Sequence, residues 1–270
     1  MRYGLIGEKL GHSYSKIIHE MLADYRYDLI PLSREEFYVF MEKKDFTAIN
    51  VTIPYKQAVI PYIDELHPKA KEIGAVNTIV NKNDHLIGYN TDFYGFEYML
   101  KKNDIDVEGK KCLILGNGGS SLTVLAVLRH LHAAKIYIVS RKAKEMNQLK
   151  ENTNPKSTTV EIISYEDCYS SHKDAQVIIN TTPLGMYPNT DTSPLDLKGF
   201  KMCEAVVDII YNPLKTKLAL QAEELGIKAV TGLEMLVAQA KQSIEYFLGK
   251  EIDDKVIDET YKKLLEMIES

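Results

Sequence analysis

Residues 111–133 read KCLILGNGGSSLTVLAVLRHLHA, and this stretch decides the fold. Cys112 to Leu115 form an unbroken apolar run, the texture of a strand buried on both faces of a parallel sheet. A loop rich in glycine follows, and then a long apolar-patterned helix from Ser120. The chain repeats the theme with strand-like KIYIVSR (135–141), VEIIS (160–164), AQVIINTT (175–182), EAVVDII (204–210) and IKAVTG (227–232). KLALQAEELG (217–226) reads as a helix closing at Gly226. Strands alternating with helices predict right-handed crossovers and a doubly wound parallel sheet over residues 104–232.

The loop Gly116, Asn117, Gly118, Gly119, Ser120 sits between the first strand and its helix. There glycines permit a tight turn and let backbone amides approach a pyrophosphate at the helix N-terminus. The spacing departs from G-x-G-x-x-G, so position carries the nucleotide reading more than pattern does. A fold of this kind that binds NAD usually places an acid at the end of the second strand. This chain instead offers Ser140, Arg141 and Lys142, followed by Lys144. A cationic turn without an acid suits a 2'-phosphate, which favours NADP over NAD.

Residues 1–103 have another texture. Short runs YGLIG (3–7), YDLIPL (27–32), FTAINVTI (46–53) and AVNTIV (75–80) alternate with helical periods predicted over 15–25, 34–44, 57–66 and 93–102. NKNDHLIGYN after AVNTIV predicts a hairpin turning at Asn83–Asp84. The polar, glycine-containing KKNDIDVEGKK (101–111) reads as a domain boundary, and residues 233–270 are helical in period, packing back on the first domain. Two domains are predicted, 1–103 completed by 233–270, and 104–232.

Charge and composition narrow the class. Of 270 residues, 45% are hydrophobic and 26% charged, ordinary for a globular protein. A formal net charge of −5 argues against a nucleic-acid partner. Cys112, Cys168 and Cys203 make neither a disulfide framework nor a metal-ligand pattern, and Cys112 reads as a buried thiol. The opening MRYGLIGEKLGHS lacks a signal-peptide core and no run reaches membrane-spanning length, so a soluble cytoplasmic protein is expected.

Polar side chains gather in four pieces of the first domain: GHSYSKIIH, NVTIPYK, GAVNT and GYNTDFYG. Ser13 and Ser15 put two hydroxyls before a helix, a seat for a carboxylate or merely a helix cap. NVTIPYK carries Thr52 inside a strand-like run, stops at Pro54 and presents Lys56. A lysine beside Asp92 could polarise a carbonyl and pass a proton while a hydride moves.

These pieces, with NTTPLGM (180–186), DIIYNP (208–213) and GLEMLVAQA (232–240), resemble the shikimate dehydrogenase family along essentially the whole chain. The resemblance implies a two-domain α/β fold with a substrate domain, a Rossmann-like NADP domain and the site in the cleft between them. It implies Lys56 and Asp92 as the catalytic pair, and Ser13, Ser15 and Tyr211 around the substrate carboxylate. Thr52, Asn77, Asp92 and Gln239 would bind ring hydroxyls. Gly116 to Ser120, Ser140, Arg141, Lys142, Thr181, Ile209, Gly232 and Met235 would contact NADP. The activity implied is reversible oxidation of shikimate to 3-dehydroshikimate by a monomer or homodimer. A quinate-acting paralogue and a silent nucleotide-binding sensor are the competing readings. The chain departs from the family's pattern at Lys9, Lys16, Glu20, Asn117, Ser120 and Leu122, and the uncharged Leu122 predicts weakened pyrophosphate contacts.

Overall fold

The computed structural model describes residues 2–11, 13–143, 145 and 159–269; Lys144, one of the cations of the basic turn, lies outside them. The chain divides into two compact units, Met1–Tyr98 with Glu234–Ser270, and Met99–Leu233. The polar stretch 101–111 lies within the second unit. No helix among the described residues is long and apolar enough to cross a membrane.

The first unit is built on a mixed sheet. Its strands are β1 (Tyr3–Gly7), β2 (Tyr27–Pro31), β3 (Ala48–Val51), β4 (Glu65–Leu66), β5 (Thr78–Lys82) and β6 (His85–Tyr89), in the order β2-β1-β3-β5-β6-β4. β1 runs parallel to β2 and β3, and the β5–β6 hairpin adds antiparallel to β3. That hairpin turns at Asn83 and Asp84, whose φ values of 54° and 66° are the left-handed pair a two-residue type I′ turn requires. Four helices follow the strands: α1 (Ser15–Leu22), α2 (Arg34–Lys43), α3 (Pro68–Ile73) and α4 (Asp92–Lys102). Ser33 and Glu36 close a capping box on α2, which buries Phe37 and Met41 at i, i+4 spacing against Ile6, Ile49, Val59, Ile79 and Leu86.

The helix expected over 57–66 does not form. Residues 53–59 are turns, Ile60–Tyr62 make one 3-10 turn, and Glu65–Leu66 join the sheet beside β6. Pro61 sits in the middle of the segment without an amide to donate, so it is tolerated in the first turn of the short 3-10 helix but cannot carry an α-helical ladder through 57–66. The apolar residues that mimic a helical period are instead drawn singly into the core, as with Val59. Helix forms one step later as α3, where Pro68 occupies the first turn and Gly74 closes the end at φ 72°. α1 also stops at Leu22, short of the expected Tyr25.

The second unit is a parallel sheet of β7 (Lys111–Leu115), β8 (Lys135–Val139), β9 (Thr159–Ile163), β10 (Val177–Asn180), β11 (Ala205–Asp208) and β12 (Lys228–Thr231). The order is β12-β11-β10-β7-β8-β9, every pairing parallel, so the chain winds outward both ways from β7 and β10. Ligands of such sheets bind where the winding reverses, beyond the C-terminal ends of the two central strands. Helices α5 (Gly119–His130), α6 (Tyr165–Ser171) and α7 (Lys217–Glu224) serve as connections. Cys112, Cys168 and Cys203 are buried free thiols, and burial pushes each thiol's pKa up. Two last helices, α8 (Leu233–Leu248) and α9 (Lys255–Glu269), extend the first unit. Phe247 of α8 packs with Leu5 and Tyr27.

Candidate active site

β3 ends at Val51, and the turns after it carry Lys56 back into the unit. The Lys56 carbonyl accepts from Val76 N at 2.8 Å, which pins the backbone beneath its side chain. Its Nζ lies 2.6 Å from Asp92 Oδ2, with the two side chains only 14% and 10% exposed. A solvated loop lysine would show neither the partner nor the burial. Asp92 is the first residue of α4, where a carboxylate is favoured by the helix dipole.

Asn77 sits beside this pair, buried at the start of β5. Its Oδ1 accepts from the backbone N of Thr91 at 2.7 Å and its Nδ2 donates to Thr91 Oγ1 at 3.0 Å. Because a backbone N–H can only donate, Thr91 fixes which end of the Asn77 amide is oxygen. One Nδ2 proton of Asn77 remains for a further acceptor. Gln239 reaches the same place from α8, with Nε2 donating to Leu236 O at 2.8 Å and Oε1 receiving Thr91 Oγ1 at 3.4 Å. α8 comes this close because α4 carries Gly95. A Cβ there would stand 2.7 Å from Met235 O and 3.0 Å from Gln239 Cβ.

Beneath these side chains lies a polar layer whose partners the sequence does not reveal, although Asn50 stands out as a polar residue inside an apolar run. Asn50 accepts from Tyr27 OH at 2.7 Å through Oδ1, and through Nδ2 it donates to Thr78 Oγ1 at 3.0 Å and Ser243 Oγ at 2.9 Å. The Tyr27 ring stacks on His19 at 4.0 Å between centroids, and His19 Nδ1 meets Tyr25 OH at 2.7 Å. Burial drives the His19 pKa down to about 3, so the imidazole is neutral at pH 7. The only available clue in sequence was the pair of polar residues, Asn50 and Thr78, inside otherwise apolar strands.

Ser13 and Ser15 stand at the start of α1, Ser15 buried and Ser13 half-buried. Tyr14, immediately before the helix, makes no side-chain cap bond, and Ser13 Oγ accepts from Ser15 N at 3.3 Å. Two of the family departures, Lys16 and Glu20, form an i, i+4 pair. Lys16 Nζ donates to Tyr27 O and Glu20 accepts from Tyr27 N, so the pair clamps the first residue of β2. Thr52 is half-buried, its amide bonded to Ile6 O at 2.9 Å.

In the second unit the glycine loop stands at the winding reversal. Gly116 has φ 99°, and a Cβ on it would meet Thr182 Cγ2 at 2.9 Å and Thr181 Oγ1 at 3.1 Å, so only glycine fits beside the end of β10. Thr181 bonds to Leu115 O through both its amide and its hydroxyl. Asn117 and Gly118 are exposed and Gly119 opens α5, with Ser120 and Leu122 half-buried on its first turn. Ser140 follows β8, buried, its Oγ accepting from Lys142 N at 3.1 Å, while Arg141 and Lys142 are exposed.

Ile209 and Tyr211 follow β11 on a loop held by Asp208. That buried carboxylate accepts from Ile210 N at 3.1 Å, Asn180 Nδ2 at 3.0 Å and Thr216 Oγ1 at 2.7 Å. Burial outweighs these bonds and raises its pKa to about 6. Gly232 donates its amide to Ile210 O at 2.9 Å. Met235 is buried on the first turn of α8.

Comparison with known proteins follows the same lines. Residues 5–79 match the family described as the shikimate dehydrogenase substrate binding domain. A shikimate dehydrogenase (NADP(+)) of Clostridium perfringens is 38% identical over 276 residues, covering 97% of both chains. The solved chorismate mutase/shikimate 5-dehydrogenase fusion protein from Clostridium acetobutylicum is 37% identical with a TM-score of 0.89, over 99% of this chain and 98% of that one. The shikimate 5-dehydrogenase of Thermus thermophilus, solved in complex with NADP(H) and shikimate, is 27% identical with a TM-score of 0.84, over 97% and 99%.

Proposed function

The chain belongs to the shikimate dehydrogenase family, and from that premise we propose how its own residues carry the reaction. It is an NADP-dependent oxidoreductase that converts shikimate reversibly to 3-dehydroshikimate, a step of aromatic amino-acid biosynthesis. The observation that carries the residue assignment is the Lys56–Asp92 pair at 2.6 Å, part-buried beside an Asn77 whose amide orientation is fixed.

The second unit suits the coenzyme. The glycine loop leading into the N-terminus of α5, and the exposed cations after β8, suit a pyrophosphate and a 2'-phosphate. Gly116, Asn117, Gly118, Gly119, Ser120, Ser140, Arg141, Lys142, Thr181, Ile209, Gly232 and Met235 would hold it. NADP when bound takes up the hydride from the substrate carbon. Lys56 and Asp92 manage the hydroxyl proton: in oxidation it leaves to this pair, and in reduction the Lys56 ammonium polarises the carbonyl and returns a proton. Thr52, Asn77, Asp92 and Gln239 orient the ring through its hydroxyls. Ser13, Ser15 and Tyr211 take the carboxylate, the two serines standing at the start of α1.

We place the enzyme in the cytoplasm as a monomer or homodimer, acting on small molecules and not on nucleic acid. Initial rates with shikimate and with quinate, each against NADP and NAD, test the reading. Shikimate with NADP should give the highest kcat/KM. A higher value with quinate, or no turnover of either acid, would refute it.

A further inference from the structure

Ser243 lies on α8 one turn beyond Gln239, fully buried, and belongs to none of the groups assigned above. Four polar atoms surround its hydroxyl: Gln239 O at 2.9 Å, Asn50 Nδ2 at 2.9 Å, Thr91 Oγ1 at 2.9 Å and Thr78 Oγ1 at 3.0 Å. They come from β3, β5, the residue preceding Asp92, and its own helix.

A hydroxyl has one proton and two lone pairs, so the direction of each bond can be worked out. The Ser243 proton goes to Gln239 O, an acceptor only. Thr78 gives its proton to Asn77 Oδ1 at 3.0 Å and receives one from Asn50. Thr91 accepts from Asn77 Nδ2, and its own proton has its shortest acceptor in Ser243 Oγ. The rival acceptors for that proton are Asn77 Oδ1 at 3.3 Å and Gln239 Oε1 at 3.4 Å. Asn77 Oδ1 already accepts from Thr91 N and Thr78 Oγ1, so Gln239 Oε1, assigned to the substrate's hydroxyls, is the rival with a lone pair to spare.

We propose that Ser243 is a positioning residue for substrate binding: it ties down the Thr91 hydroxyl and so leaves the Gln239 side-chain oxygen available to the ring hydroxyls. The inference rests on the reading of Gln239 as a substrate contact. Without Ser243 Oγ the Thr91 hydroxyl turns toward Gln239 Oε1 and competes with shikimate for it. The loss falls on substrate affinity, because Lys56, Asp92 and the coenzyme residues do not touch Ser243.

The test is steady-state kinetics of Ser243→Ala in the full-length enzyme. KM for shikimate should rise about three- to tenfold, the effect of one hydrogen bond. On the same basis kcat should stay within about threefold and KM for NADP within about twofold. In a double-mutant cycle with Gln239→Ala the Ser243→Ala effect on shikimate KM should shrink to within about twofold, as coupled neighbours require. Should Ser243→Ala fail to fold, Ser243→Cys, which keeps the size class but offers Thr91 only a weak acceptor, should raise the shikimate KM with the same split from kcat. A lower melting temperature with unchanged shikimate KM, or full additivity with Gln239→Ala, would overturn the proposal and leave Ser243 as packing. Absence of shikimate oxidation by the wild type would instead overturn the functional reading, and this inference with it.

Discussion

Replacing Gly95 with alanine sets two known effects against each other. Alanine in a helix interior is favoured over glycine by about 1 kcal/mol, so on propensity alone α4 should gain stability. The new methyl, however, would stand 2.7 Å from Met235 O, 3.0 Å from Gln239 Cβ and 3.1 Å from Gln239 N. All three are backbone or Cβ atoms, so no rotamer change relieves the contact. α4 and α8 must move apart, at a cost near the upper end of the roughly 1–3 kcal/mol typical of overpacking. The clash therefore wins by about 1–2 kcal/mol, which lowers the melting temperature by about 2–8 °C for a protein of this size. Gln239 lies at the contact, so KM for shikimate should rise in the same variant while KM for NADP does not. Thermal unfolding followed by calorimetry and steady-state kinetics measure both. A melting temperature equal to or above that of the wild type would show that the two helices do not meet as described.

Lys56→Ala and Asp92→Asn should each lower kcat by about 10²–10⁴, the range for losing a positioned acid–base group, and turnover within twofold of wild type in both would sink the assignment. Arg141→Ala should remove most of a ten- to hundredfold preference for NADP over NAD, worth about 1.5–3 kcal/mol, by weakening NADP alone. Equal kcat/KM with both coenzymes in the wild type would leave the basic turn as ordinary surface. His19 has a folded pKa of about 3 against 6.5 when unfolded, so the unfolded chain takes up the proton first and stability is lost as pH falls below about 6.5. At pH 4.5 the loss is on the order of 2–3 kcal/mol. Asp208, raised to about 6, has the opposite sign and gains stability as pH falls through 6 toward 3.8. The total pH profile therefore hides both, and the measurement is the difference between wild type and His19→Phe in denaturant unfolding from pH 7 to 4.5. Parallel profiles would show that His19 does not titrate in this way.

The second unit was legible because parallel strands buried on both faces read as continuous apolar runs, as in Cys112–Leu115 and Val177–Ile179. The hairpin was legible because Asn83–Asp84 can take the left-handed backbone its turn demands. Residues 57–66 misled because their apolar spacing fits a helix until Pro61 is weighed as an interruption rather than a passenger. The Asn50 layer was hidden for a different reason. A buried amide is intelligible only through its partners, and those of Asn50 lie 28 and 193 residues away, at Thr78 and Ser243. Local periodicity carries no trace of such pairings. Ser13 and Ser15 stood between two uses in sequence because a hydroxyl before a helix serves a cap and a ligand equally well.

The contact between Asn50 and Ser243 also orders events at the ribosome. Residues 99–233 form a contiguous unit that can close as soon as its last strand emerges, whereas the first unit waits for α8. With 193 residues between the two side chains, synthesis at about 5–20 residues per second separates their appearance by roughly 10–40 s. Through that interval Asn50 and Thr78 lack their α8 partner, and the amino-terminal segment has a sheet without the helix that completes it. The nascent chain thus finishes its middle before its beginning, and the half that emerges first is the last to become native.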